Sequence, residues 1–339
     1  MAERRFKVAV VGATGAVGEA MLSILAARRF PASEVIALAS GRSAGGSVDF
    51  GDDELLVHEL SAFDPAGVDI ALFAAGGDVS KEHAPRFAAA GAVVIDNSSA
   101  FRQDQDVPLV VAEVNPDAAA QRPRGIIANP NCSTMQMVVA LAPIHRAVGI
   151  ERINVATYQS VSGAGRSALE ELGRQTGALL NFRGAAPERF PVQIAFNLIP
   201  HIDDFMDNGY TREEMKLVWE TRRILGDDSI QVNPTAVRVP VFYGHSEAVH
   251  IETREKIDAA TARRLLEAAP GVTVVDERKA GGYPTPVTHA SGSDAVFVGR
   301  IREDLSHPRG LDLWIVSDNI RKGAALNAVQ VAELVAQSA

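Results

Sequence analysis

"FKVAVVGATGAVG", residues 6–18, decides how this 339-residue chain begins to fold. The first six residues are almost wholly apolar and do not alternate, the pattern of a strand covered on both faces. Gly12, Gly15 and Gly18 follow, and an apolar run through Met21 and Leu25 reads as a helix. Strand, glycine turn and helix in that order open a βαβ unit. Such a turn lets a pyrophosphate approach backbone N–H groups where the helix dipole attracts its charge, so Thr14, Gly15, Ala16 and Val17 become candidate nucleotide contacts. Taken alone, the turn is a moderate signal, a tight bend that binds nothing being the lesser alternative.

The next strand, "VIALA", ends at Ala39, where an NAD-specific site would offer a carboxylate to the ribose 2′-hydroxyl. This chain has Ser40, Gly41, Arg42 and Ser43 there instead. A guanidinium and hydroxyls suit a 2′-phosphate, which predicts NADP rather than NAD.

The alternation continues through "DIALFAA", a helix around Lys81–Ala90 and "AVVID", predicting a parallel sheet with crossover helices from Phe6 to about Ile127. Beyond residue 132 the pattern changes. "RINVATYQSV" (152–161), "TAVRVPVFYG" (235–244) and "AVFVGRIRE" (295–303) are longer and alternate, predicting an α+β domain on a mostly antiparallel sheet. Asn319 to Ala336 reads as a helix returning to the first domain. The expected division is 1–131 with 319–339, and 132–318.

With 47% hydrophobic and 22% charged residues the chain can bury a full core. Its net charge of −9, from 42 acidic against 33 basic residues, argues against a nucleic-acid partner. A small anion would need a few local arginines or lysines. The single cysteine makes no internal disulfide, and the chain enters its first strand without a signal-like apolar segment or any membrane-length apolar run. A cytoplasmic protein is expected.

That cysteine, Cys132, lies in "NPNCST" (129–134), just before an apolar-sided run. Pro130 excludes a helix interior, so the thiol falls at a helix N-terminus, where the dipole favours thiolate. Inert packing is the competing reading, since free cysteines are commonly buried. Pro143 within the same run predicts a kink or an early helix end. Of the histidines, His58, His83, His145 and His250 read as surface or satisfied side chains. His245 stands apart, following Gly244 at the end of "AVRVPVFYG", with Arg238 opposite the face of Val237, Val239 and Val241. Glu213 and Lys216 look like an exposed i,i+3 pair, and Thr211 with Glu214 like a capping box.

"GATGAVG", "NPNCST", "YQSVSGAG" (158–165), "EEMK" (213–216) and "RVPVFYGHSE" (238–247), in this order, resemble the aspartate-semialdehyde dehydrogenase family almost end to end. The resemblance implies an α/β chain: an N-terminal Rossmann-like parallel-sheet domain that binds NADP, then an α+β domain carrying the substrate site and a homodimer interface, with the cysteine at the domain junction. It implies that Cys132 is the nucleophile, forming a hemithioacetal and then a thioester. Gln159 would orient the substrate, His245 act in acid–base chemistry, and Arg238 bind the substrate α-carboxylate. Glu213 would meet the substrate amine, Arg102 and Lys216 the phosphate, and Ser162, Gly163 and Asn319 the cofactor. The implied reaction converts aspartate semialdehyde, phosphate and NADP into aspartyl phosphate and NADPH without a metal, its reverse feeding lysine, methionine and threonine synthesis. N-acetyl-glutamyl-phosphate reductase is the nearest enzyme alternative, glyceraldehyde-3-phosphate dehydrogenase a more distant one. A non-catalytic homologue of the fold is the alternative from another class.

Overall fold

The structure is a computed structural model and describes residues 4–338. It contains two compact units, one comprising residues up to Pro130 and from Ala324 onward, the other Asn131–Gly323.

In the first unit β1 (Phe6–Val11), β2 (Ala32–Ala39), β3 (Ser47–Phe50), β4 (Asp53–Glu59), β5 (Ile70–Phe73), β6 (Val93–Asp96) and β7 (Ile126–Ala128) form one sheet in the order β3-β4-β2-β1-β5-β6-β7. Every pairing is parallel except the β3–β4 hairpin. Helix α1 (Ala16–Ala27) joins β1 to β2, and α2 (Gly77–Ala89) joins β5 to β6. Gly12 holds φ at 83°, a left-handed turn that a β-carbon disfavours, and a β-carbon on Gly18 would collide with the Gly12 carbonyl. The glycine spacing therefore brings the start of α1 directly onto the end of β1. The C-terminal helix, Asn327–Gln337, buries Ala328, Val329, Val331, Ala332 and Val335 in the same core as β1 and α1. It starts later than the sequence suggests, because Arg321–Leu326 winds as π-helical turns.

The second unit has a six-stranded sheet in the order β11-β12-β13-β10-β8-β9, formed by β8 (Ile150–Gln159), β9 (Gln231–Arg238), β10 (His245–Thr253), β11 (Val272–Val274), β12 (Val296–Glu303) and β13 (Gly310–Ser317). β8–β9 and β11–β12 are parallel and the other pairs antiparallel. The fold class is the expected one. Helix α3 (Cys132–Val148) packs against this sheet and against α5 (Arg212–Leu225) and α6 (Ala259–Glu267), while α4 (Arg166–Leu180) packs beside the 3-10 turn Val161–Ala164. α3 runs through Pro143, so the expected early end does not occur.

The strand expected over 235–244 is also corrected. β9 stops at Arg238, Val239 donates to the Gln159 carbonyl, and Val241 N–H turns back to the Val239 carbonyl (2.8 Å). Pro240 has no N–H for a ladder and restricts the residue before it, so the chain turns here. Val239 and Val241 therefore share no strand face with Val237. His245 opens β10 rather than closing β9. Among the described residues no helix is long and apolar enough to cross a membrane.

Candidate active site

Cys132 is the first residue of α3, and Asn131 is its N-cap. The Asn131 Oδ1 accepts from the N–H groups of Ser133 (3.0 Å) and Thr134 (3.2 Å), leaving the side-chain amide to donate to Glu213 Oε1 (2.9 Å). The Asn131 N–H donates to Glu220 Oε2 (2.6 Å). No acidic residue lies in the first turn of α3, so nothing within that turn opposes the dipole at the half-buried thiol. Gly323 faces Cys132 so closely that an added β-carbon would lie 2.7 Å from the cysteine Cβ.

Gln159, at the end of β8, is paired in register with Arg238 at the end of β9. Its amide donates to Glu213 Oε1 (3.1 Å) and Thr157 Oγ1 (3.3 Å). Glu213 is thus buried and reached by Asn131, Gln159 and Lys216, whose ammonium also contacts Asp203 (2.8 Å). The exposed i,i+3 pair suggested by spacing is corrected: α5 turns both residues inward. Burial opposes ionisation of Glu213, but the Lys216 charge and the three donors outweigh it and hold the carboxyl at about 2. Lys216 is itself raised, the nearby carboxylates outweighing its burial. Thr211 and Glu214 do form the expected capping box.

Arg238 is buried and donates through Nη1 to the Ser160 carbonyl (2.8 Å). Burial lowers its pKa, the charges of Glu213 and Cys132 work against that, and Arg189 adds to it. His245 is fully buried, and burial followed by the Arg238 charge lowers it to about 3, so the ring is neutral. Its Nδ1 accepts from the Ser160 N–H (3.1 Å), which in a neutral ring leaves the proton on Nε2. Nε2 has no hydrogen-bond partner among the described residues. A β-carbon on Gly163 would lie 3.3 Å from that nitrogen and 3.1 Å from Arg238 Nη1, so the two side chains flank one point. Asn319 Oδ1 gathers the hydroxyls of Ser160 and Ser162 and the Gly244 N–H, each at 3.0 Å.

Cys132, Gln159, Glu213, Lys216, Arg238, His245, Ser162, Gly163 and Asn319 all belong to the second unit. Arg102 belongs to the first, where Nε donates to the Asn129 carbonyl and Nη2 to the Asn97 carbonyl, both at 2.9 Å. The other first-unit candidates adjoin one another. Thr14 Oγ1 lies 3.5 Å from Ser43 Oγ, and Gly15 is the N-cap of α1 without a capping side chain, so the first-turn N–H groups are not taken up by one. Arg42 is exposed. These features fit a dinucleotide phosphate. Glu59, whose Oε1 would lie 3.2 Å from a β-carbon on Gly41, is a carboxylate in this neighbourhood that the sequence reading did not weigh. Asn131, Ser160 and Gly323 were also missed. Only Asn131 carried a signal, as a capping residue immediately before a helical run.

Two family models match this α/β unit and the α+β unit with its cysteine at a helix N-terminus, and both describe a semialdehyde dehydrogenase. Residues 7–122 match "Semialdehyde dehydrogenase, NAD binding domain" and residues 141–322 match "Semialdehyde dehydrogenase, dimerisation domain". The aspartate-semialdehyde dehydrogenase of Legionella pneumophila is 62% identical over 98% of this chain and 96% of its own length. Aspartate semialdehyde dehydrogenase II of Vibrio cholerae, solved as a complex with ASA, is 57% identical with a TM-score of 0.96, covering 98% of this chain and 99% of that one. The Candida albicans aspartate semialdehyde dehydrogenase, solved with NADP, is 26% identical with a TM-score of 0.77, covering 98% of both chains. This chain belongs to the aspartate-semialdehyde dehydrogenase family, oxidoreductases that act on an aldehyde.

Proposed function

We propose that this chain carries out the NADP-dependent phosphorylating oxidation of L-aspartate 4-semialdehyde through a thioester on Cys132. The observation that carries the reading is Cys132 at the capped N-terminus of α3, in the same unit as a buried Arg238 and a neutral His245. The helix dipole and the Arg238 charge favour thiolate. The thiolate attacks the aldehyde carbon, giving a tetrahedral adduct whose oxygen takes a hydrogen bond from His245 Nε2–H. His245 therefore serves as a donor poised for the oxyanion rather than as the base that removes the thiol proton. NADP, when bound, supplies the hydride acceptor that turns the adduct into a thioester. Phosphate then attacks the acyl carbon, aspartyl phosphate leaves, and the cysteine sulfur is released.

Arg238 suits the α-carboxylate and Gln159 the orientation of the chain. Glu213 carries a negative charge inside the site and suits a free ammonium, which favours the aspartate compound over an N-acetylated one. Lys216 and Arg102 are the proposed phosphate ligands. Thr14–Val17, Ser40–Ser43, Ser162, Gly163 and Asn319 are the proposed cofactor contacts, with residues 1–131 and 319–339 as the NADP domain and 132–318 as the catalytic and dimerisation domain. We assign a homodimer, supported by the dimerisation model. A cytoplasmic setting suits a working thiol. In the reductive direction the product feeds lysine, methionine and threonine synthesis.

The test is NADPH formation from aspartate semialdehyde, NADP and phosphate. It should require phosphate and fall by about 10⁴-fold or more in Cys132→Ser. Wild-type turnover in that variant, or faster wild-type turnover of the N-acetylglutamate semialdehyde, would overturn the assignment.

A further inference from the structure

His245 opens β10, and its cross-strand partner is Ser317, the last residue of β13. Two residues further on, Asn319 is buried in the turn that leaves the sheet. Asp318 fixes this turn, its Oδ1 accepting the N–H groups of Ile320 (2.8 Å) and Arg321 (2.9 Å) and its Oδ2 that of Gly292 (2.8 Å). The strand register thus returns the Asn319 side chain to Gly244, the residue before His245, whose N–H it meets at 3.0 Å. A backbone N–H can only donate, so the amide oxygen of Asn319 is the atom that faces it.

The same oxygen lies 3.0 Å from both Ser160 Oγ and Ser162 Oγ. Ser160 Oγ is also 3.0 Å from His245 Nδ1, which already accepts the Ser160 N–H. A hydroxyl has one proton to give. When Ser160 donates it to Nδ1, Gly244 and Ser162 fill the two lone pairs of the Asn319 oxygen. One amide oxygen therefore joins the backbone leading into the imidazole to the turn that holds Nδ1. Gly244 needs this anchor, because at φ 87° a glycine has other conformations of similar energy and does not fix the approach to His245 by itself. A donor to a developing oxyanion works only when aimed in advance, and a displacement of about 1 Å can cost about 10²-fold.

We propose that Asn319 is a positioning residue for His245, its amide oxygen holding the Gly244 backbone and the Ser160–Ser162 hydroxyls together so that Nε2–H points at the reacting oxygen. This rests on the reading of His245 as the oxyanion donor. It commits Oδ1 of Asn319 within the protein and leaves Nδ2 for the proposed cofactor contact.

The experiment measures kcat, KM for aspartate semialdehyde and for NADP, and melting temperature in wild type, Asn319→Ala, His245→Ala and the double variant. His245→Ala should lower kcat by about 10²-fold, the size of one lost oxyanion donor. Asn319→Ala should lower kcat about tenfold and leave KM for the semialdehyde within about twofold, because Arg238 is held by the Ser160 carbonyl rather than by its hydroxyl. In the His245→Ala background the same substitution should change kcat by less than about twofold, since its effect runs through the imidazole. Asn319→Ser keeps a polar atom but is too short to span the three donors, and it carries the same expectations if Asn319→Ala fails to fold. A raised KM for NADP with kcat unchanged, or an equal loss of kcat with and without the imidazole, would overturn this inference alone. Wild-type kcat in His245→Ala would overturn the donor reading beneath it.

Discussion

Gly323 and Cys132 are in contact through a gap too small for a side chain, with a β-carbon at position 323 falling 2.7 Å from the cysteine Cβ. The π-helical turns at Arg321–Leu326 thus bring bare backbone against the cysteine. Gly323→Ala must displace the cysteine or its helix start. Since misplacement by about 1 Å can cost about 10²-fold, kcat should fall by about that factor. Measuring kcat and the melting temperature together tests this, and wild-type kcat would contradict it.

Asn131 links the thiol to its neighbours by capping α3 while donating to Glu213. Asn131→Ala removes the cap, costing about 1 kcal/mol of stability, and weakens the dipole's hold on the thiolate. Alkylation of Cys132 by iodoacetamide followed against pH should show its midpoint moving upward. A midpoint identical to wild type would separate the cap from the reactivity.

His245 predicts a specific acid sensitivity. Its folded pKa of about 3 lies below the ordinary histidine value of 6.5, so the folded state binds fewer protons there. That stabilisation is complete above about pH 6.5 and is lost as pH falls toward 3. Glu213, lowered to about 2, adds loss below the usual carboxylate range. Glu247, raised by burial, has the opposite sign, favouring the fold at low pH. Comparison with His245→Asn isolates the imidazole: wild type should lose roughly 4 °C more than the variant between about pH 7 and pH 5. Parallel curves would contradict a buried neutral ring.

The proposed preference for NADP assigns the 2′-phosphate to Arg42, with Glu59 close to Gly41 but its Oε1 accepting the Ser61 hydroxyl (2.6 Å). Arg42→Ala should raise KM for NADP about tenfold and leave KM for NAD nearly unchanged. Equal effects on both cofactors would remove the 2′-phosphate contact.

Much of this molecule could be read in its residues because local pattern and global packing agree. Residues 6–18 spell a buried strand, a phosphate-type turn and a helix, and the structure builds β1, Gly12 at φ 83° and α1 from them. The β3–β4 hairpin was missed although Gly51–Asp52 forms its two-residue loop, because strands of such mixed polarity show little periodicity. The apparent strand over 235–244 misled because alternation continues past Pro240 while hydrogen bonding does not. Glu213 and Lys216 looked solvated because spacing along a helix does not say which face packs inward. Burial of His245, the choice of its protonated nitrogen and the approach of Gly323 depend on residues distant in the chain, for which no local signal exists.

The claim on which the rest depends is that Cys132 becomes acylated. Protein incubated with aspartate semialdehyde and NADP, with phosphate omitted, can be quenched in acid and its peptides measured by mass spectrometry. The peptide containing Cys132 should carry one aspartyl group, removable by hydroxylamine and discharged when phosphate is added before the quench. NADPH formation with that peptide unmodified under the same conditions would contradict the account.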